Sequence, residues 1–312
     1  MIEQEYKELK DFILNNKKTI IIGLVFLLIT FGYATTLFTL GVSTETSVFN
    51  EASGSYRWVA QSRFSVGILK KIFSTNQILP FRTTFLAVIM IFIVAMYACK
   101  TFDLLAKGKN KVLSNIILIV LFITMPISVH YMYYLTYSFE IGMGMLICIM
   151  ASDCFNKGII IKKSKVYSFI GLLLLSVGIG VYQSFVPFFI LVQSTCLFLY
   201  FYNNNIKFKE KMSIIVKCIV FLLVAMVLFY LISKIFLIFV TEEKYTDGFF
   251  SWGKKEVKEI LIELKEYFKN IYINTTIYGC KIITPTVLIG VLLAIYCALF
   301  KKKWFEGLII MF

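Results

Sequence analysis

Between Gly41 and Pro80 the chain gathers the side chains best suited to chemistry: two carboxylates, Glu45 and Glu51, then Tyr56, Arg57, Trp58 and Arg63. A carboxylate beside a substrate hydroxyl can take its proton as general base, or can hold a divalent cation such as Mg or Mn. A guanidinium offers paired donors to phosphate oxygens. Together the two types suit a reaction between a phosphate-bearing molecule and a polar acceptor. Each also has a plainer reading. Glu45, in Gly41-Val42-Ser43-Thr44-Glu45-Thr46, fits an exposed loop acid or a helix cap with Ser43 or Thr44. Arg57 and Arg63 fit headgroup contacts, with Tyr56 and Trp58 as interface anchors.

A third acid, Glu140, follows Tyr137-Ser138-Phe139 in a stretch with no basic residue, so it needs a partner from elsewhere or a water-filled cavity. His130, Tyr131, Tyr133, Tyr134 and Tyr137 form an aromatic-rich turn that suits stacking on sugar rings or an aromatic belt. Tyr182, Gln183 and Ser184, just before Pro187, add polar groups at the same expected membrane level. Arg82 resembles Arg57 and Arg63 in placement, and Lys234 is placed to snorkel. Gly142, Gly144, Gly178 and Gly180 read as close helix-packing positions. With one histidine and no paired Cys/His clusters, zinc and haem chemistry are not expected, and the chain has neither a phosphate-cradling Gly-rich loop ending in Lys-Ser/Thr nor a nucleophile elbow.

The elements that must position these groups are membrane helices. At 59% hydrophobic residues and a mean hydropathy of +0.82, the chain has more apolar surface than a soluble domain of 312 residues can bury. A spanning helix needs about 20 apolar residues. Runs of that order stand at Thr19–Leu40, Phe81–Cys99, Val112–Val129, Ile141–Phe155, Val166–Tyr182, Val186–Tyr202, Met212–Val240 and Ile282–Phe300. The expected fold is an all-α polytopic membrane bundle of about eight complete spans, with a ninth helix that opens at Gly307 and is cut short at Phe312.

Met1–Lys18 reads as an amphipathic interfacial helix, and residues 19–312 as one transmembrane domain with long loops at 41–80 and 241–281. Lys100 to Lys111, Lys157 to Lys165, Lys207 to Lys211 and Lys301 to Lys303 fall in alternate connections, which predicts a cell-membrane protein with a cytoplasmic N-terminus. The net charge of +14 is then topology signal and attraction to anionic lipid, and a nucleic-acid partner is not expected. The spans read as nearly charge-free, with polar groups gathered at the outer side. In the second long loop, Val257, Ile260, Leu261, Leu264, Phe268 and Ile271 recur at helical spacing and predict an amphipathic helix.

The order of these features resembles the bacterial O-antigen glucosyltransferases of the serotype-converting Gtr type II kind, within the multi-spanning GT-C class. The resembling pieces are the acidic loop after the first span with Glu45, Arg57-Trp58 followed by Ser62-Arg63, and the Pro126-to-Glu140 stretch. Gly180-Val181-Tyr182-Gln183-Ser184 closes the series. There are two departures: Glu45 stands between threonines where an Asp-rich pair is expected, and Ser62 stands where Gly is expected before the Arg.

The resemblance implies transfer of a hexosyl unit, glucose in the first place, from a polyprenyl-phosphate donor to a cell-surface glycan on the extracytoplasmic face. It casts Glu45 as base or metal ligand, with Glu140 and Glu51 as competing candidates. Arg57 and Arg63 would hold the lipid phosphate, Tyr182 and Gln183 would orient sugar hydroxyls, and Trp58 and Tyr137 are further substrate-binding candidates. The alternatives are a flippase or export component, and a polymerase of a surface polysaccharide.

Overall fold

The structure is a computed structural model, and it describes residues 2–38, 55–75, 80–106, 112–124, 137–239, 257–270, 273, 281, 283–299, 305 and 309. The chain divides into two units, Met1–Glu242 and Glu243–Phe312. Among the described residues every element is helical. The first unit holds α1 (Ile2–Asn15), α2 (Lys17–Phe38), α3 (Ser55–Ala60), α4 (Phe64–Ile72), α5 (Pro80–Ala106), α6 (Val112–Thr124) and α7 (Ser138–Phe155). It continues through a π-helical turn (Asn156–Ile161) to α8 (Lys165–Val181), α9 (Phe185–Asn203) and α10 (Phe208–Leu237). The second unit holds α11 (Val257–Lys269), the expected amphipathic helix, and α12 (Ile283–Leu299).

Apolar helices stand at all eight expected places. Four are long and apolar enough to cross a membrane: Arg82–Ala106, Ser138–Ile161, Phe185–Asn203 and Phe208–Leu237. A fifth span results if α1 and α2, bent by 79° at their junction, are taken as one element, while α6, α8 and α12 are shorter. The long residue 41–80 connection is not all loop. It contains α3 and α4, whose Trp58, Phe64, Val66 and Leu69 are buried against the bundle.

At the centre of the first unit α7 packs on α5, α8 and α9. Small residues set those distances. A methyl group added at Gly142 would lie 2.7 Å from the Met90 Cβ of α5, and one at Gly178 would lie 2.7 Å from the Cys148 sulfur of α7. Contacts that close leave no room for a side chain, as the sequence spacing predicted for these glycines. A second cluster joins Phe12, Leu27, Ala87, Val88, Ile91, Ile119 and Ile123 from α1, α2, α5 and α6. On α10, by contrast, Val216, Ile219, Val220, Leu223 and Leu231 are each more than half exposed, as a lipid-facing helix requires.

Polar groups gather at both ends of α7, which corrects the expectation that they collect at one side. At the C-terminal end Lys157, 1% exposed, places its ammonium 2.6 Å from Glu5, 2.7 Å from Glu8 and 3.1 Å from Asp153. Lys100, expected in a connection, lies instead within α5 and is buried, 3.3 Å from Asp153 and 3.4 Å from Glu5. Tyr97 donates to Asp153, Tyr167 donates to Glu5, and Lys162 pairs with Glu8 at 3.3 Å. Three acids thus meet three lysines, so charges that are costly to bury alone neutralise one another. The same contacts place α1 and the ends of α5 and α7 at one end of the bundle.

Burial works against the charge on Glu5. Its hydrogen bonds and attraction to Lys157, helped by Tyr167 and Lys100, more than offset that and hold its carboxyl below the ordinary value. A lowered carboxylate value means a contribution present above the unfolded value and lost as pH falls through the folded one. Wild type should therefore melt higher than Glu5→Gln at neutral pH, and the two melting curves should converge in acid; a gap independent of pH would refute the pairing. Gly142→Ala and Gly178→Ala should each destabilise the bundle by about 1–3 kcal/mol through overpacking, read as a fall in Tm in detergent.

Candidate functional site

At the other end of α7 two groups of side chains meet. The first is built by the turn between α3 and α4. Ser62 adopts φ 60°, the left-handed region that favours glycine, at the position where the resemblance leads one to expect Gly. That turn lets the Arg63 amide donate to the Trp58 carbonyl at 2.8 Å and starts α4 at Phe64. Gln183, between α8 and α9, donates its Nε2 to the carbonyls of Gln61 at 3.1 Å and Ser62 at 3.5 Å. Its amide nitrogen therefore holds the turn.

Next, α4 is fastened to α8 and α10. The Ser65 hydroxyl donates to the Val177 carbonyl at 2.8 Å. Gly180 lets α4 come close: a methyl group there would lie 2.5 Å from the Phe64 ring. Phe64 itself stacks on Phe236 at 5.1 Å and 11°.

So fixed, Arg63 projects into three aromatic rings. Its guanidinium carbon lies 4.6 Å from the Tyr182 centroid and 5.7 Å from those of Trp58 and Tyr137. Trp58 and Tyr137 meet edge to face at 4.9 Å, both buried. The rings' negative faces stabilise the cation. Arg63 Nε, also buried, has no hydrogen-bond partner among the described residues. A buried donor without an acceptor is costly, and an anionic ligand oxygen would satisfy it.

The second group surrounds Glu140, in the first turn of α7 and one turn on from Tyr137. The partner that the sequence required comes from the first long connection. Lys70 of α4 lies 3.4 Å from Glu140 Oε1, which also accepts a 2.5 Å hydrogen bond from the Thr75 hydroxyl. Lys70 further donates to the Thr75 carbonyl at 3.4 Å, Arg82 donates to the Ser74 carbonyl, and Phe73 packs edge-on against Phe139 at 5.1 Å. The Glu140 side chain is closed off from solvent, with Oε2 lacking a hydrogen-bond partner among the described residues. Burial pulls the Lys70 ammonium below its ordinary value, against the opposing pull of Glu140.

Of the sequence candidates, then, Trp58, Arg63, Tyr137, Tyr182, Gln183 and Glu140 come together at one end of the bundle. Glu45, Glu51 and the Arg57 side chain lie outside the described residues, as do His130, Tyr131, Tyr133 and Tyr134. Lys234 rests over the Tyr230 ring. Sequence reasoning missed Lys70 and Thr75, for which the one signal was an acid without a local partner. It also missed Asp153, an acid inside an apolar run with Lys157 one helical turn later.

Glu140→Gln should destabilise the folded chain by about 3–5 kcal/mol, because it removes one partner of a buried pair. The double variant Lys70→Met/Glu140→Gln should recover most of that loss. Thermal melts of the two single variants and the double variant measure the coupling, and strictly additive losses would show that the pair does not act together.

The sequence profile of the family described as Glucosyl transferase GtrII matches residues 32–312. Neither curated proteins nor solved structures yield a match.

Proposed function

The chain belongs to the glucosyl transferase GtrII family, and from that premise we propose that it moves a glucosyl unit from a polyprenyl-phosphate donor to a cell-surface glycan. The reaction takes place at the extracytoplasmic face of the cell membrane, with α1 and the Lys100 and Lys157 end of the bundle in the cytoplasm, a reading that the alternation of lysine-rich connections supports. The observation that carries the site assignment is Arg63: a cation held among three rings, with a buried donor unsatisfied among the described residues, at the end of α7 where Glu140 and α4 also meet.

In this reading an acceptor hydroxyl attacks the anomeric carbon, the bond from that carbon to the phosphate oxygen breaks, and polyprenyl phosphate leaves with the electron pair. Arg63, joined by Arg57, stabilises the charge that develops on the phosphate. Tyr182, half-buried, supplies a flat face for the sugar ring, while the buried Trp58 and Tyr137 hold the guanidinium in place. The acceptor's proton passes to Glu45, with Glu51 as the competing base in the same segment; holding a divalent cation is Glu45's alternative role. Glu140, closed off and tied to Lys70 and Thr75, is a positioning residue that keeps α4, and so Arg63, against α7.

Transfer of radiolabelled glucose from its polyprenyl-phosphate carrier, with the full chain in vesicles, tests this. Arg63→Ala should lower kcat/KM by about 100-fold or more, as loss of a preorganised charge donor does. Arg63→Lys should not restore it, since an ammonium lacks the planar fork. Glu45→Ala should abolish transfer at equal protein level; retention of full transfer removes Glu45 from the mechanism, and Arg63→Ala with full activity removes the proposed phosphate site.

A further inference from the structure

The N-terminal helix docks with its polar side inward. With about 100° between successive residues, Glu5, Glu8, Phe12 and Asn16 share one face of α1. That face meets the bundle: Glu5 and Glu8 reach Lys157, and Phe12 and Asn16 are buried. Next to it run Tyr6, Leu9 and Ile13, an apolar stripe that packing on the bundle leaves 67%, 39% and 43% exposed. Gln4, Asp11 and Asn15 lie on the side opposite the stripe, and all three are exposed.

Soluble helices bury the apolar stripe and expose the charges; here buried lysines have claimed the acidic face, so the stripe must find an apolar medium elsewhere. The position of α1 supplies one. It leaves α2 at 79°, and α2 is an apolar helix whose Ile21, Val25, Leu28 and Ile29 are exposed in the same way. A helix nearly perpendicular to a spanning helix runs along the plane of the bilayer. Lys7, Lys10, Lys17 and Lys18, all exposed, sit where headgroups would lie.

We infer that α1 is a lipid-docking helix, its Tyr6, Leu9 and Ile13 stripe seated in the interfacial layer of an anionic leaflet while Glu5 and Glu8 pin it to Lys157. The same helix is thereby fastened to the protein through its charges and to the membrane through its apolar side chains, an arrangement independent of the transferase reading. Lipid and second-copy contacts are distinguishable by what becomes covalently attached.

The photocrosslinker p-benzoylphenylalanine, placed singly at Tyr6, Leu9, Ile13, Gln4 and Asp11 of the full chain in phosphatidylcholine nanodiscs with and without phosphatidylglycerol, tests this by intact-mass analysis. Lipid adducts should form several-fold more at Tyr6, Leu9 and Ile13 than at Gln4 and Asp11. Adduct yield should rise with phosphatidylglycerol, and Lys7→Gln/Lys10→Gln should reduce that rise. Equal yields at all five positions, protein adducts in place of lipid ones, or indifference to phosphatidylglycerol would each overturn the proposal. All five positions are exposed, and a melting curve matching wild type confirms that each variant is folded.

Discussion

Charge pairing inside an apolar bundle is the constraint on which the rest of this structure depends. A lysine or carboxylate buried alone costs several kcal/mol, so each buried charge fixes the position of another element. Helix α7 carries one such group near each end. Glu140 draws in α4 through Lys70, and Asp153 with Lys157 draws in α5 through Lys100 and α1 through Glu5. The two clusters stand roughly 20 Å apart along a helix rising about 1.5 Å per residue, and the turns between them, from Ile141 to Ser152, contain no charged residue.

That arrangement explains how a short segment between α2 and α5 can hold a guanidinium still. Alone, α3 and α4 are six and nine residues long, below the length at which a helix is stable by itself. Their order comes from packing: Ser65 on α8, Phe64 against α10, Lys70 on α7, and Gln183 on the carbonyls of the intervening turn. Arg63 inherits its position from all four. An uncharged middle in α7 also bears on the choice between a transferase and a carrier. A carrier needs charged groups along a path, whereas among the described residues of α7 the charges stand only toward its two ends.

Composition and apolar runs were enough to read the all-helical class and to place eight apolar helices, but not their lengths, since only four are long enough to cross a membrane and the expected eight complete spans are not reached. Helix-packing glycines were legible too: among apolar residues, Gly at spacings such as 142 and 144 or 178 and 180 has little use other than close approach. The amphipathic helix at 257–269 was legible from its period. Ser62 was visible as a departure, and its left-handed backbone shows why glycine suits that place.

Long-range pairing was another matter. Nothing local distinguishes Lys70, which holds Glu140, from Lys71 beside it, and Lys100 looked like one more basic residue at a helix end. Which lysine meets which carboxylate depends on helix rotation and on the meeting of segments up to 154 residues apart, as for Lys162 and Glu8. By itself the sequence determined that the chain is a helical membrane protein with acids and arginines near helix ends, since hydropathy and period are properties of short windows. Only the tertiary structure decided that Arg63 sits among Trp58, Tyr137 and Tyr182 and that Glu140 is closed off, because burial and partnership are properties of the assembled bundle.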